Sequence, residues 1–233
     1  MSYATCTVRY RLGGVPVRLR VETDYPYEQT VRIRVEQRTA CAFPLHLRIP
    51  EWAEGATLTL PDGQTLPCPA GDFLRLERTF FPGETLTLRL PMAVSVREWA
   101  YGSVSVERGP LLFGLEPACR FEQVRAHDFS PDWAVYASGA WNYALLPDQG
   151  LEVVEDARQP RNLTLRAKAV RLPSWTLQRH SADRPPRLPR VTGPVETITL
   201  KPYGQTALRI AQFPHGVLAE ADNPEPASEA PCP

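Results

Sequence analysis

The sequence predicts an all-β protein made of two consecutive antiparallel β-sandwiches of the jelly-roll kind, followed by a disordered C-terminal tail. Apolar and polar residues alternate with period two along most of the first 118 residues, which is typical of antiparallel strands buried on one face. Turn-forming residues interrupt this alternation where short hairpins need them. The chain also carries 25 prolines, about twice the share of an average protein, and this content disfavours long helices.

Alternating segments predict the strands of the first sandwich, which we assign to residues 1–118. Each segment places Val, Leu or Ile on one face and Arg, Glu or Thr on the other, so the arginines are expected to face solvent. The segments span residues 7–12, 15–22, 30–36, 44–49, 56–60, 73–80 and 85–90. The glycines of Gly13-Gly14, Pro61-Asp62-Gly63 and Pro82-Gly83 supply the backbone freedom that the turns need.

The stretch Thr23-Asp-Tyr-Pro-Tyr-Glu28 joins two of these strands and poses a choice between a sugar contact and a corner. A carboxylate beside aromatic rings suits a sugar, but the same residue types build turns. We favour the corner, because Pro26 fixes its own φ angle and extends Tyr25. Asp24 is expected to cap this turn through its own backbone.

The apolar/polar alternation weakens near residue 118 and resumes further on, which predicts a second sandwich over residues 119–214. Residues 118–139 are irregular in pattern, and strand-like segments follow at 141–146, 151–155, 162–172, 195–200 and 206–213. The proline-rich residues 179–194 predict a long surface loop. Residues 215–233 are acidic, rich in proline and poor in large apolar groups, which predicts a disordered tail.

Charge and hydropathy exclude several partner classes. The 26 basic and 26 acidic residues give zero net charge, so no long-range field would attract a nucleic acid. No run of about 18 apolar residues predicts a membrane span. The N-terminus has no apolar core of a signal peptide, so the chain as written is expected to be cytoplasmic.

The cysteines, histidines and carboxylates form no recognisable catalytic or metal-binding motif. The five cysteines (Cys6, Cys41, Cys68, Cys119 and Cys232) are widely spread and favour unpaired thiols over a zinc site. The His46 side chain should point away from the core, because His46 alternates with Leu45 and Leu47. The acidic pairs Asp24 with Glu28 and Glu107 with Glu116 are expected to be solvated rather than catalytic. We therefore predict no catalytic residue, no metal and no cofactor in this chain.

Aromatic clusters are the remaining candidates for a binding site. Trp and Tyr often fill sandwich cores, and packing is the commoner role for such clusters. Trp141-Asn142-Tyr143 is the strongest candidate for carbohydrate binding, because an amide flanked by two rings offers both stacking and hydrogen bonds. Trp99 is a further candidate platform.

Six strings in register carry a resemblance to a known family. They are TDYPYE (23–28), LRIPEW (47–52), VSVERGPLLFGLE (104–116), WNYALL (141–146), LRAKAVRLPSW (165–175) and LKPYGQTALRIAQFP (200–214). In this order they resemble the C-terminal half of β-L-arabinofuranosidase-type proteins, glycoside hydrolase family 127 (GH127).

This resemblance implies that the chain corresponds to the two β-sandwiches that follow the catalytic domain. In that family an (α/α)6 barrel carries a cysteine nucleophile and a zinc ion, and none of those residues has a match here; Cys6 lies in a strand pattern instead. The resemblance therefore implies an accessory, non-catalytic portion, inactive alone, that supports a barrel in cis or in trans and serves hydrolysis of plant-type glycans. A stand-alone carbohydrate-binding module and a purely structural assembly domain remain alternatives.

Overall fold

The computed structural model describes residues 3–179 and 181–219. Strands dominate this part of the chain, and no helix in it reaches seven residues, which confirms the all-β prediction. Three-residue 3-10 turns occur at Ala100–Gly102, Pro147–Gln149, Pro160–Asn162 and Tyr203–Gln205.

Eight strands form the first body, a sandwich with layers of unequal size. In chain order they are β1 (Cys6–Leu12), β2 (Val15–Glu22), β3 (Thr30–Val35), β4 (Cys41–Arg48), β5 (Thr57–Thr59), β6 (Thr65–Pro67), β7 (Phe73–Phe80) and β8 (Thr85–Arg89). One layer is a six-stranded sheet in the order β1-β2-β3-β8-β5-β6, and the hairpin β4-β7 is the other.

The predicted alternation creates the core between these two layers. Val21 pairs with Ile33, and Val31 pairs with Leu88, so the apolar residues of neighbouring strands lie on the same face of the sheet. All four side chains are fully buried. His46 is exposed in β4, as predicted. Gly63 and Gly83 have positive φ angles, as the predicted turns require.

Fourteen further strands within the described residues form the second body. They are β9 (Val94–Glu98), β10 (Ser103–Arg108), β11 (Leu111–Leu115), β12 (Cys119–Arg125), β13 (Asp132–Ala137), β14 (Tyr143–Leu145), β15 (Leu151–Val154), β16 (Thr164–Arg171), β17 (Leu177–Gln178), β18 (Ser181–Ala182), β19 (Arg190–Val191), β20 (Val195–Pro202), β21 (Phe213–Pro214) and β22 (Val217–Leu218). Eight of them make one sheet along the path β14-β16-β20-β11-β10-β21, with β15 added beside β16 and β9 beside β10.

The large sheet of the second body has an apolar cluster on each face. Leu145 and Ala169 belong to the larger cluster, which also contains Phe113 and Phe213. Their neighbours Ala144 and Val170 belong to a smaller cluster around Trp175. Successive residues of a strand point to opposite faces, so both faces of β14 and β16 are covered.

The chain passes from the sheet of the first body to the sheet of the second body before residue 118. β8 ends at Arg89 in the sheet of the first body, and β9 begins at Val94 beside β10 in the sheet of the second. The domain boundary near residue 118 stays a prediction, but β9, β10 and β11 hydrogen-bond with strands of the second body.

Two predictions about the second half of the chain were wrong in detail. The irregular region 118–139 contains the hairpin β12-β13, whose alternation is obscured because β12 is exposed along nearly all its length. The predicted strand over 206–213 is mostly irregular, since Ile210 makes only an isolated bridge to Leu115 before β21 begins.

The predicted disordered tail begins too early. β22 pairs in parallel with β19, and the Gly216 amide donates to the carbonyl of Leu145 at 2.8 Å. These contacts hold residues 215–219 against the second body. The rest of the predicted tail, residues 220–233, lies outside the described residues.

The stretch 23–28 is a corner, and Asp24 contributes to closing it through its backbone carbonyl rather than through its side chain. The Asp24 side chain is exposed, whereas its carbonyl accepts from the amide of Tyr27 at 2.9 Å. The cap comes from Thr23, whose Oγ1 accepts from the Tyr25 amide at 3.0 Å and donates to the Thr30 carbonyl at 2.7 Å. The Asp24 carbonyl and the Thr23 hydroxyl therefore close the turn together.

The two tyrosines of this corner pack against different bodies. Tyr25 meets Tyr3 edge to face, with ring centroids 5.7 Å apart, at the first core. Burial is the main reason that the pKa of Tyr3 is raised to about 12. Tyr27 instead packs against the larger cluster of the second body, and its hydroxyl accepts from Gln205 Nε2 at 3.4 Å. The corner thus joins the two bodies.

Replacing Leu88 with Ala should lower the free energy of unfolding by about 2 to 5 kcal/mol, because it opens a cavity between two packed layers. The matched control is Leu12→Ala at the end of β1, where the side chain is 40 % exposed. Urea denaturation followed by circular dichroism measures both. Equal effects from the two substitutions would contradict the assigned core.

Candidate functional site

Asn142 holds two chain segments together inside the second body. Its side chain is 8 % exposed, and Nδ2 donates to the carbonyls of Leu172 and Trp175 at 3.0 Å each. The Leu172 amide in turn donates to the Asn142 carbonyl at 2.8 Å. The Nδ2 group that was expected to face a sugar therefore donates to backbone, whereas Oδ1 of the same amide is buried without a hydrogen-bond partner.

Tyr143 is also buried, on the larger apolar cluster. Its hydroxyl donates to Glu196 Oε2 at 3.1 Å. Burial, followed by this hydrogen bond, raises the pKa of Tyr143. Trp141 packs on the smaller cluster instead, so the structure separates the two rings that were expected to flank one ligand.

Trp141 lines an apolar cleft in the second body. The cleft has a volume of about 560 Å³, and its walls include Tyr136, Leu177, Leu208 and Ile210. The Trp141 ring is half-buried, with its centroid 5.1 Å from that of Trp175. Carbohydrate binding at Trp141, Asn142, Tyr143 and Trp99 stays a prediction, and of the first three Trp141 has the accessible ring.

Trp99 lies in a different cleft, beside Tyr101 and Leu188. It is 46 % exposed, and its Nε1 donates to Ser105 Oγ at 2.8 Å. The Arg97 guanidinium carbon lies 5.0 Å from the Trp99 ring centroid. A cation over a ring face is an attractive contact, and it competes with a sugar for that face.

A third cleft, the junction cleft, lies where the two bodies meet, and sequence reasoning did not find it. Its volume is about 360 Å³. The first body contributes Tyr27, Glu28, Gln29, Thr30 and Arg89. The second body contributes Arg108, Glu155, Asp156, Ala157, Pro160 and Leu163. This lining mixes charged groups of both signs with a tyrosine.

Arg108 is the most unusual residue of the junction cleft. Only 3 % of it is exposed, although arginines were expected to face solvent. Its Nη2 donates to Glu155 Oε1 at 2.5 Å, and its Nη1 is buried without a hydrogen-bond partner. An unpaired buried donor of a charged group costs more than the about 1 to 3 kcal/mol of a neutral one. The sequence did contain a signal of this burial, because Arg108 alternates with Val104 and Val106 and so lies on the same, core-facing side of the strand.

Asp156, which also lines the junction cleft, is held in position by a local turn. Its Oδ1 accepts from the amides of Arg158 at 2.9 Å and Gln159 at 3.2 Å. Asn162 Nδ2 approaches Oδ2 at 3.4 Å. The hydrogen bond from the Arg158 amide contributes most to lowering the pKa of Asp156, so this carboxylate is charged at neutral pH.

The other candidate groups do not assemble into a site. Glu116 is paired with Lys201 at 2.9 Å, and Glu107 lies 4.0 Å from Arg97. Over residues 3–179 and 181–219, no three His, Cys, Asp or Glu side chains are grouped so that they could hold a metal ion. None of the helices in the same ranges is long and apolar enough to span a membrane.

Comparison with solved structures gives matches to glycoside hydrolases. A GH127 β-L-arabinofuranosidase from Geobacillus stearothermophilus T6 matches with a TM-score of 0.59 at 23 % identity, over 91 % of this chain and 32 % of that one. A protein described as a glycoside hydrolase matches at 0.60 and 25 % identity, over 89 % and 34 %. A GH127 β-arabinofuranosidase matches at 0.60 and 18 % identity, over 89 % and 33 %. The chain spans about a third of the length of these structures.

The fold therefore defines the class as an all-β portion like those found in glycoside hydrolases. More specifically, residues 1–92 match the family model described as the middle domain of GH127 β-L-arabinofuranosidases. The resemblance predicted from the six strings is thus confirmed. A search among curated proteins gives no match.

Replacing Asn142 with Ala should lower the free energy of unfolding by about 1 to 3 kcal/mol, because the carbonyls of Leu172 and Trp175 lose their buried donor. The control is Gln123→Ala, where the side chain is exposed and a change within about 0.5 kcal/mol is expected. Urea titrations measure both. A silent Asn142→Ala would mean that its amide is not structural and is available to a ligand.

Proposed function

We propose that this chain is the accessory, non-catalytic portion of a glycoside hydrolase of the β-L-arabinofuranosidase type. It would support an (α/α)6 catalytic barrel, in cis or in trans, that acts on plant-type arabinofuranosides or related glycans. The observation that carries the proposal is the match of residues 1–92 to the GH127 middle domain. The structural matches extend the likeness to about nine-tenths of the chain.

The distribution of thiols supports the non-catalytic part of the proposal. Cys6, Cys41 and Cys119 lie on separate strands, and Cys68 is buried in the first core. Burial raises the pKa of Cys68, which disfavours the reactive thiolate that a nucleophile requires. We therefore assign the cysteine nucleophile and the zinc ion to the barrel, as the family resemblance implies.

An exposed apolar surface on the hairpin β12-β13 is the proposed contact with the barrel. Phe121 is 56 % exposed, Trp133 is 53 % exposed and Phe129 is fully exposed. Phe121 is paired with Val135, and Trp133 is paired with Gln123. Phe121 and Trp133 therefore share one face of the hairpin. Exposed apolar surface of this kind marks interaction sites in soluble proteins.

Mixing the full chain with a separately purified barrel from a GH127 enzyme should give a complex by size-exclusion chromatography with light scattering. The double variant Phe121→Ser/Trp133→Ser should lose most of this complex, since it removes the apolar contact area. Phe73→Ser is the matched control, because Phe73 is 53 % exposed on β7 of the first body. A complex insensitive to the double variant would place the contact elsewhere.

The activity arm of the same experiment tests the non-catalytic assignment. The chain alone, with zinc and a thiol reductant, should release no aglycone from an aryl β-L-arabinofuranoside, whereas the barrel complex should turn the substrate over. Measurable hydrolysis by the purified chain alone would overturn the proposal.

A carbohydrate-binding module is the second candidate function, and the apolar cleft at Trp141 favours it. Titration with arabinan or arabinogalactan should change tryptophan fluorescence and saturate, because a sugar face would stack on the accessible ring. Trp141→Ala should abolish the change, whereas Trp99→Ala should retain it. No response to either polysaccharide would count against this function.

A further inference from the structure

We propose that the junction cleft is a binding site for a neutral, polyhydroxylated ligand the size of one sugar ring. Arg108 and Asp156 would provide its polar contacts, and Tyr27 would provide an apolar wall. The choice of a sugar among neutral polar ligands rests on the proposed function. The inference that the ligand is neutral and polar rests on the lining of the cleft alone.

Arg108 gives this site a built-in hydrogen-bond donor. The residue is 3 % exposed, its Nη2 is fixed by Glu155 at 2.5 Å, and its Nη1 has no acceptor in the protein. Glu155 is largely exposed, with 59 % of its side chain accessible, so the guanidinium lies at the buried end of the cleft. Nη1 itself lies beneath the surface of the cleft, so an oxygen of a bound ligand would pair with it after a small rotation of the guanidinium toward the cleft.

The balance of charge in the lining selects a neutral ligand. Two basic residues, Arg89 and Arg108, and three acidic ones, Glu28, Glu155 and Asp156, line the same cleft, so an anion would meet excess negative charge. A metal ion is disfavoured as well, because Glu155 is engaged by Arg108 and Asp156 by backbone amides. Sugar hydroxyls both donate and accept, and they can therefore satisfy carboxylates and a guanidinium together.

The size of the cleft and its one aromatic side chain fit a single ring. A volume of 360 Å³ lies near the lower end of the range of about 300 to 1,000 Å³ for small-molecule sites. The Tyr27 ring is fixed between the two bodies, since it packs on the second core and its hydroxyl contacts Gln205. Such a preorganised apolar wall suits the carbon face of a sugar.

The test is saturation-transfer NMR and calorimetry on the full chain with L-arabinose, D-galactose, D-xylose and D-glucose, in buffer free of glycerol and phosphate. At least one sugar should bind saturably, with a dissociation constant on the order of millimolar for about ten non-hydrogen atoms. Ala157→Leu fills the junction cleft from an exposed turn and should weaken binding by about tenfold or more. Ala182→Leu makes the same change in the Trp141 cleft and should leave binding unchanged.

The proposal would be overturned if none of the four sugars bound saturably, if the wild type and Ala157→Leu bound equally well, or if only Ala182→Leu lost binding. Titrations with sodium phosphate and calcium chloride probe the other ligand classes, and Ala157-sensitive binding of either without sugar binding would also overturn it. Sugar binding at this cleft without a barrel complex would refute the proposed function alone. A barrel complex without sugar binding would refute this inference alone.

Discussion

The placement of Tyr27 determines how the two bodies of this protein meet. The corner that carries it belongs to the first sandwich, yet its ring packs against the apolar cluster of the second sheet. Thr23 closes the turn from one side and thereby directs Tyr25 and Tyr27 to different cores. The junction cleft is a consequence of this contact, because its walls come from residues on both sides of the junction.

Local periodicity predicted most strands of the first sandwich but missed the short strand β6 (Thr65–Pro67). Strands β2, β3 and β7 lie within one residue of their predicted bounds, because each has one buried face and its pattern records which face that is. The second body was predicted less well. Its exposed hairpin β12-β13 has no buried face to impose alternation, and residues 206–212 are positioned by a single bridge from Ile210 to Leu115 rather than by a ladder.

The candidate site shows a different limit of sequence reasoning. Asn142 and Tyr143 were predicted to bind a ligand because they are polar groups near aromatic rings. Their hydrogen-bond partners, however, lie about 30 and about 50 residues further along the chain. No local pattern reveals such pairing, so buried structural groups resemble binding groups in the sequence. Arg108 is the converse case. It lies on the same face of β10 as the buried Val104 and Val106, so its burial could be predicted. Its pairing with Glu155 and its position in a cleft depend on how the sheet folds.

The pairing of β10 with β21 has a consequence for synthesis on the ribosome. Ser103 is paired with Pro214, so this part of the second sheet cannot close until more than a hundred further residues have been made. The first sandwich has no such requirement, because all its strands end by Arg89. Domains generally fold as units as they emerge, and contacts of long sequence separation form slowly. The nascent chain should therefore carry a finished first sandwich with Tyr27 still exposed, and the junction cleft should form last.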